Sequence, residues 1–263
     1  MEKVKISAVS YTNTLPFLYG LQHSPVIDEV SLSLDVPSTC AHKLIHGEAD
    51  LGIVPVAALP DIPNAEVVSD YCLGATGAVN SVFIYSDKPV EAIKSLRLDS
   101  QSRTSNALAR ILLRHHWKNE SVVLVDGQAD AYVEIGDRTF GKQHAHRYVY
   151  DLSWHWQEFT GLPFTFAVWV ANKPLKPAFI RAFNDALAYG LSQRDALIAE
   201  LPARIDFDYR QYLMENIDYQ YNDAKKEAVK TFLKWKESLE LGFDAGLMHV
   251  RGKHEIQERH GNA

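Results

Sequence analysis

Short apolar runs alternate along this chain with stretches whose apolar positions recur every three to four residues. "KISAVS" (5–10) alternates apolar and polar positions as a half-buried strand does, and a helix is expected from about Pro16. "VSLSLDVP" (30–37) alternates again. "STCAHKLIHG" (38–47) has helical spacing, with Ser38 as the expected N-cap and Gly47 as the stop. "ADLGIVPV" (49–56) is almost continuously apolar, as expected of a strand covered on both faces. Further strands are expected in "NSVFIYSD", "SLRLDS", "SVVLVD", "AYVEIGD" and "TFAVWVA". Between them, "TSNALARILLRHHW" reads as a helix with Leu108, Ile111, Leu112 and His115 on one face. From about residue 177 the chain is mostly helical, in "AFIRAFNDALAYGL" and "DAKKEAVKTFLKWKESLELG", and the final "VRGKHEIQERHGNA" is polar and expected to fray. The alternation predicts an α/β protein with largely parallel sheets.

A short echo runs through the pattern. "GEADLGIVP" (47–55) and "GQADAYVEIGD" (127–137) both read Gly-x-Ala-Asp and then a strand. Chance accounts for four shared letters as readily as kinship does, but the echo suits two similar lobes around a shared cleft. No Pro/Gly/Ser-rich linker separates the halves, so lobes joined by crossing strands are expected. The expected division is 1–86 plus 173–263 for one lobe and 87–172 for the other.

Composition narrows the classes. The 263 residues are 46% hydrophobic and 23% charged, which suits a globular protein with a sizeable core. Net charge is −6 and no basic block stands out, so no nucleic-acid partner is expected. No apolar run approaches the roughly 20 residues of a membrane span. "MEKVKISAVS" enters a strand pattern without the apolar core of a secretory signal, and the cytoplasm is the expected compartment. Cys40 and Cys72 suggest no disulfide framework. The 11 histidines cluster loosely at His115-His116, His144/His146 and His249, His254 and His260, but in no zinc spacing. With no nucleotide fingerprint either, neither metal nor cofactor is expected. The oligomeric state stays open.

Four stretches could carry chemistry. In "SAVSYTNTLPFLYG" (7–20), Asn13 stands where a strand gives way to a helix, the position at which open α/β sheets bind ligands. Its amide offers donors and an acceptor without changing protonation state. A plain helix cap by Asn13 or Thr14 is the competing reading. In "DSQSRTSNALARILL" (99–113), Ser102, Arg103, Thr104 and Ser105 crowd a helix N-terminus, which can serve as an anion site or be ordinarily capped. In "GAVNSVFIYSD" (77–87), Asn80 and Ser81 precede a strand. No GxSxG surrounds Ser81, so hydrogen bonding fits it better than nucleophilic attack. In "EIGDRTF" (134–140), Gly136 and Asp137 follow a strand at a cleft edge, and the aromatic-rich 150–169 reads mainly as packed core.

Taken together and in order, "YTNTLPF", "NSVFIYS", "DSQSRTSNALARILL" and "IGDRTF…YDLSWHWQEFTGLPFTFAVW" resemble the chorismate dehydratase family of the futalosine route to menaquinone, over about residues 4–240. The resemblance implies a type II periplasmic-binding-protein-like fold, two α/β lobes around a central cleft. It implies a lyase that removes water from chorismate to give 3-[(1-carboxyvinyl)oxy]benzoate. Under it, Asn13 and Ser81 are expected at the reacting end of the substrate, and Ser102 to Ser105 as a carboxylate cradle. Tyr11, Thr14, Asn80, Gly136 and Asp137 are expected nearby. The motif positions supply amides and hydroxyls, not bases, so the enolpyruvyl carboxylate of the substrate is the expected proton acceptor, with Asp137 the alternative. A small-anion binding protein of the same fold and the sister cyclase of the pathway are the competing functions.

Overall fold

The computed structural model describes residues 3–239. The strands are β1 (Val4–Val9), β2 (Val30–Asp35), β3 (Leu51–Pro55), β4 (Glu66–Ala75), β5 (Val82–Ser86), β6 (Ser95–Arg97), β7 (Val123–Leu124), β8 (Ala131–Ile135), β9 (Tyr148–Asp151), β10 (Phe164–Ala171) and β11 (Asp218–Gln220). The main helices are α1 (Leu15–Gln22), α2 (Pro37–Ile45), α3 (Arg103–Ile111), α4 (Leu152–Thr160), α5 (Pro177–Ser192) and α6 (Arg194–Glu200), followed by a helix over 223–239. The segment 250–263, with His254 and His260, and His249 before it lie outside the described residues.

The strands form two sheets, ordered β11-β4-β10-β3-β1-β2 and β7-β6-β8-β5-β9. Both are mixed, which corrects the expectation of largely parallel sheets. β1 pairs parallel with β2 and β3, and β6 with β7 and β8, while β10 and β5 run antiparallel to both their neighbours. The antiparallel members are the strands that follow or precede a passage between sheets. Sheet membership also corrects the expected division of the chain. Val82–Ser86 belongs to the second sheet and Phe164–Ala171 to the first, so the passages lie at 76–81 and after α4.

Leaving β11 aside, the two orders are the same pattern, with β2-β1-β3-β10-β4 matching β7-β6-β8-β5-β9. The Gly-x-Ala-Asp echo falls on matching positions. Asp50, before β3, accepts the Lys5 N–H at the start of β1 (2.9 Å) and pairs with Lys173 (2.7 Å), just past β10. Asp130, before β8, accepts the Lys94 N–H at the start of β6 (2.8 Å) and pairs with Lys88 (2.5 Å), just past β5. Each aspartate ties three strands together at the end of the sheet away from the cleft.

Local chemistry accounts for the elements. All five β3 residues are buried, as a continuous apolar run requires. α2 starts at Pro37 rather than on a Ser38 cap, because proline's fixed φ and missing N–H suit the first helical turn. In the first lobe, Phe17 of α1 packs edge-on against Trp169 (5.8 Å), which meets Phe183 of α5 (5.0 Å). α1 and α5 touch backbone to backbone. A Cβ on Gly20 would lie 1.9 Å from the Ala186 carbonyl oxygen, and one on Gly190 1.9 Å from that of Pro16. This contact fixes α1 and with it the turn that carries Asn13. The fully buried Lys225 pins the 223–239 helix to β11, donating to the Asp218 and Gln220 carbonyls (both 2.7 Å) and pairing with the Asp218 carboxylate. Trp235 of the same helix meets Phe159 of α4 (5.2 Å).

Candidate active site

β1 and β6 each end in a turn that leads into a helix, and the two turns face each other across the cleft. Between them lies a cavity. Its walls are mainly apolar: Val9, Pro37, Pro55, Leu73, Phe166 and Ile217 from the first lobe, Val79, Val82 and Ile135 near the second sheet. A few polar groups converge on it, from Tyr11, Asn13, Ser81, Ser102, Thr104 and Ser105. A mainly apolar cavity with few, placed polar groups is the usual form of a small-molecule site. No histidine, cysteine, aspartate or glutamate is among its lining residues.

Asn13 sits in the 3-10 turn Thr12–Thr14 that precedes α1. Neither that turn nor α1 has a side-chain cap, so capping does not account for Asn13. Its Oδ1 accepts the Thr14 hydroxyl (3.2 Å), its side chain lies against the Tyr212 hydroxyl at the cavity wall, and its carbonyl accepts the Tyr219 hydroxyl (3.0 Å). Thr14 itself is buried under the turn. Ser81 receives a hydrogen bond from Tyr212 (2.9 Å), with both groups buried. Burial holds the Tyr212 and Tyr219 phenols well above their usual range, so both act as neutral donors.

At the facing turn, Ser102 caps α3 by accepting the Ser105 N–H (3.1 Å). The N–H groups of Arg103 and Thr104 belong to the first turn of the helix and have no partner within it. Ser105 is buried on the cavity side. Thr104 spans the lobes: its Oγ1 accepts the Ala57 N–H and donates to the Phe166 carbonyl (both 3.2 Å). Arg103 points elsewhere. Its guanidinium pairs with Asp61 of the opposite lobe, and of Ser102 to Ser105 it is the one that does not line the cavity.

Asn80 is not a lining residue. It adopts a left-handed backbone (φ 56°), and its N–H donates to Asp151 (2.7 Å), which sets the direction in which Ser81 enters β5. Asp137 is absent from the lining too. Its carboxylate accepts the Thr12 N–H (3.0 Å) and the Thr12 hydroxyl (2.9 Å), joining the two lobes. Burial raises its pKa against these bonds, which lower it. Gly136 lines the cavity at φ 66°, with the Tyr11 ring so close that a Cβ would lie 2.7 Å from it. The Tyr11 hydroxyl donates to Gln101, ahead of α3. Tyr11, Thr12, Asp61 and Thr104 thus hold the lobes closed over the cavity.

Sequence reasoning missed Tyr212, Tyr219 and Ile217, which come from segments without a motif, and it placed Phe166, inside "TGLPFTFAVW", in the packed core rather than the cavity wall. It also missed Asp99, whose carboxylate holds Arg138 (2.6 Å) and the Gln101 N–H (2.8 Å) and so stiffens the approach to α3.

The fold is shared with proteins of low sequence identity. A protein from Archaeoglobus fulgidus superposes with a TM-score of 0.71 at 13% identity, covering 91% of this chain and 98% of the other. A Candida albicans protein with the generic periplasmic binding protein fold superposes at 0.58 and 11% identity, covering 90% and 91%. The fold is periplasmic-binding-protein-like. No helix among the described residues is long and apolar enough to cross a membrane. In sequence, the chain is 28% identical over 244 residues to a chorismate dehydratase of Campylobacter jejuni, covering 89% of this chain and 97% of that one. It is 26% identical over 266 residues to a chorismate dehydratase of Thermus thermophilus, covering 89% and 94%. The family profile described as menaquinone biosynthesis matches residues 4–238, through both sheets and both passages between them, and the chain belongs to that family.

Proposed function

We propose that this protein is a chorismate dehydratase of the cytoplasm, converting chorismate to 3-[(1-carboxyvinyl)oxy]benzoate and water at the cavity between the lobes. Two named relatives support the activity, and the lining of the cavity supports the mechanism. Chorismate loses a ring hydrogen at the ether carbon and the neighbouring hydroxyl, and the ring becomes aromatic. The step needs a base, a stabilised leaving oxygen and one fixed conformer.

The observation that carries the mechanism is a cavity rich in neutral donors, with no histidine, cysteine or carboxylate among its lining residues. The enolpyruvyl carboxylate of the substrate then serves as the base. Held beside the hydrogen it removes, it gains from orientation, worth about 7–11 kcal/mol in the best intramolecular cases. Asp137, the alternative base, has its carboxylate committed to Thr12. Asn13 and Ser81 hold the enolpyruvyl arm and donate to the departing oxygen. Because Tyr212 donates to Ser81 Oγ, the Ser81 proton is directed to another acceptor, and the substrate provides one. The other carboxylate meets the free N–H groups of α3 and the Ser105 hydroxyl. Local donors must bind this dianion, since the chain itself carries a charge of −6.

The test is purified protein with chorismate and no added cofactor, followed by ultraviolet absorbance and mass. The expected product is lighter by one water. Chorismate recovered bound but unchanged would make the protein a solute binder instead. Dehydration of an analogue lacking the enolpyruvyl carboxylate would move the base to the protein.

A further inference from the structure

The far end of α3 gathers three side chains that the cavity does not use. α3 runs on into the π turn Leu112–His116, which ends in His116. α4 packs beside that turn and carries His155 and Glu158, one helical turn apart. One ligand atom from each of the three residues lies within 4.8 Å of the others. His155 Nδ1 is 2.7 Å and His116 Nε2 3.9 Å from the same Glu158 oxygen. His155 Nδ1 is shielded from solvent and faces the Glu158 carboxylate. An aromatic wall backs the imidazoles. The His155 ring lies edge-on to Trp117 (4.9 Å), and the His116 ring is 5.6 Å from Phe159.

We propose that His116, His155 and Glu158 bind one zinc ion, with water as the fourth ligand, and that the ion clasps the end of α3 to α4. Two imidazoles and a carboxylate form a nitrogen and oxygen donor set that suits zinc, whereas magnesium and calcium favour oxygen alone. Ligand atoms around tetrahedral zinc stand roughly 3.3 Å apart, and the two distances to Glu158 bracket that value. A small rotation of the exposed Glu158 side chain, with minor adjustment of the partly buried imidazoles, closes the difference. The site lies about 20 Å along the helix from Ser102, too far to reach the substrate, so the ion acts on structure. Its ligands come from two helices, which is why no short spacing in the sequence announces it.

The test uses the full chain, stripped with chelator, dialysed and titrated with zinc alone by calorimetry, with cobalt as a spectroscopic substitute. The wild type should bind one zinc that Glu158→Gln and His116→Ala do not, and zinc should raise its melting temperature but not theirs. Loss of a group that merely orients a ligand costs 10–100-fold in affinity, so loss of a ligand should cost more than about 100-fold. If His116→Ala does not fold, Glu158→Gln decides the matter, because its side chain is 44% exposed. Zinc binding by the wild type no tighter than by Glu158→Gln would overturn the proposal.

Discussion

The Tyr212 hydroxyl donates to Ser81 Oγ over 2.9 Å, and both atoms are shut away from bulk water. A serine hydroxyl rotates freely in solution. Here one of its acceptor sites is filled by a neutral phenol, so its proton has a restricted choice of direction.

Tyr212→Phe should therefore slow turnover more than it weakens binding. The variant keeps the ring packing against Phe140 and Phe207 and loses one hydrogen bond. A tenfold or greater fall in kcat with a small change in KM is expected, with about 1 kcal/mol of stability lost. Steady-state kinetics beside thermal melts check it. Unchanged kcat would remove Tyr212 from the site.

Asn13→Asp separates a donor from an acceptor at nearly constant shape. The substitution exchanges the cavity-facing amide for an anion that meets a dianionic substrate. No cap is at stake, since neither adjoining turn uses the side chain. A folded protein with a near-normal melting temperature and about a hundredfold lower kcat is expected, the scale of a lost transition-state donor.

Thr104 and Ser105 should behave differently although they are neighbours. Ser105→Ala should raise KM by about 10–100-fold, as the loss of a hydrogen bond to a charged group does, and leave stability nearly unchanged. Thr104→Ala removes the bridge from α3 to Ala57 and Phe166, so it should also lower the melting temperature. Equal melting temperatures for the two variants would contradict the bridging role.

Asp151 supplies the pH test. Burial raises its pKa from 3.8 to about 6, against hydrogen bonds from the Asn80, Ser153 and Trp154 N–H groups. A carboxyl held above its unfolded value favours the folded state most when protonated. Its contribution is full below about pH 4 and is lost as pH rises through about 6. The stability difference between wild type and Asp151→Asn should fall by an amount on the order of 3 kcal/mol across that window, measured by denaturant titration. A difference that grew with pH would reverse the assignment.

Exhaustive chelation and dialysis should leave chorismate turnover unchanged, because the cavity lining carries no histidine, cysteine or carboxylate to hold a metal. Activity that returned only with an added divalent ion would overturn this.

What could be read in advance followed from local pattern. β3 and β5 are short apolar runs that are buried throughout, and their sequences announce them. β4 was not read as a strand, although it is ten residues long and central, because Ser69 and Asp70 interrupt its apolar run. Those two polar residues are accommodated by neighbours distant in sequence: the Ser69 hydroxyl donates to Asn184, and the Asp70 carbonyl accepts the Tyr221 N–H. The motif turns carrying Asn13 and Ser102 were legible because strand-to-helix junctions concentrate polar residues, and Ser81 because it closes the polar turn that enters β5. Arg103 was misplaced for the converse reason. Adjacency in sequence is not adjacency on a helix, where the next residue points about 100° away. Tyr212 and Ile217 reach the cavity from late segments, and only the closed chain brings them there.

The aspartate tethers at Asp50 and Asp130 sit at the back of the sheets, where no substrate reaches. Their repetition therefore owes nothing to chemistry. What repeats is a way of hanging a strand, its turn and its helix from a fixed point. A unit hung at one end can change its other end without losing its footing. The Tyr-Thr-Asn and Ser-Arg-Thr-Ser turns are two such ends, like unlike fingers on matching wrists. Under the proposed function they close on a molecule whose own two ends are unlike: a ring acid at one, a vinyl ether acid at the other.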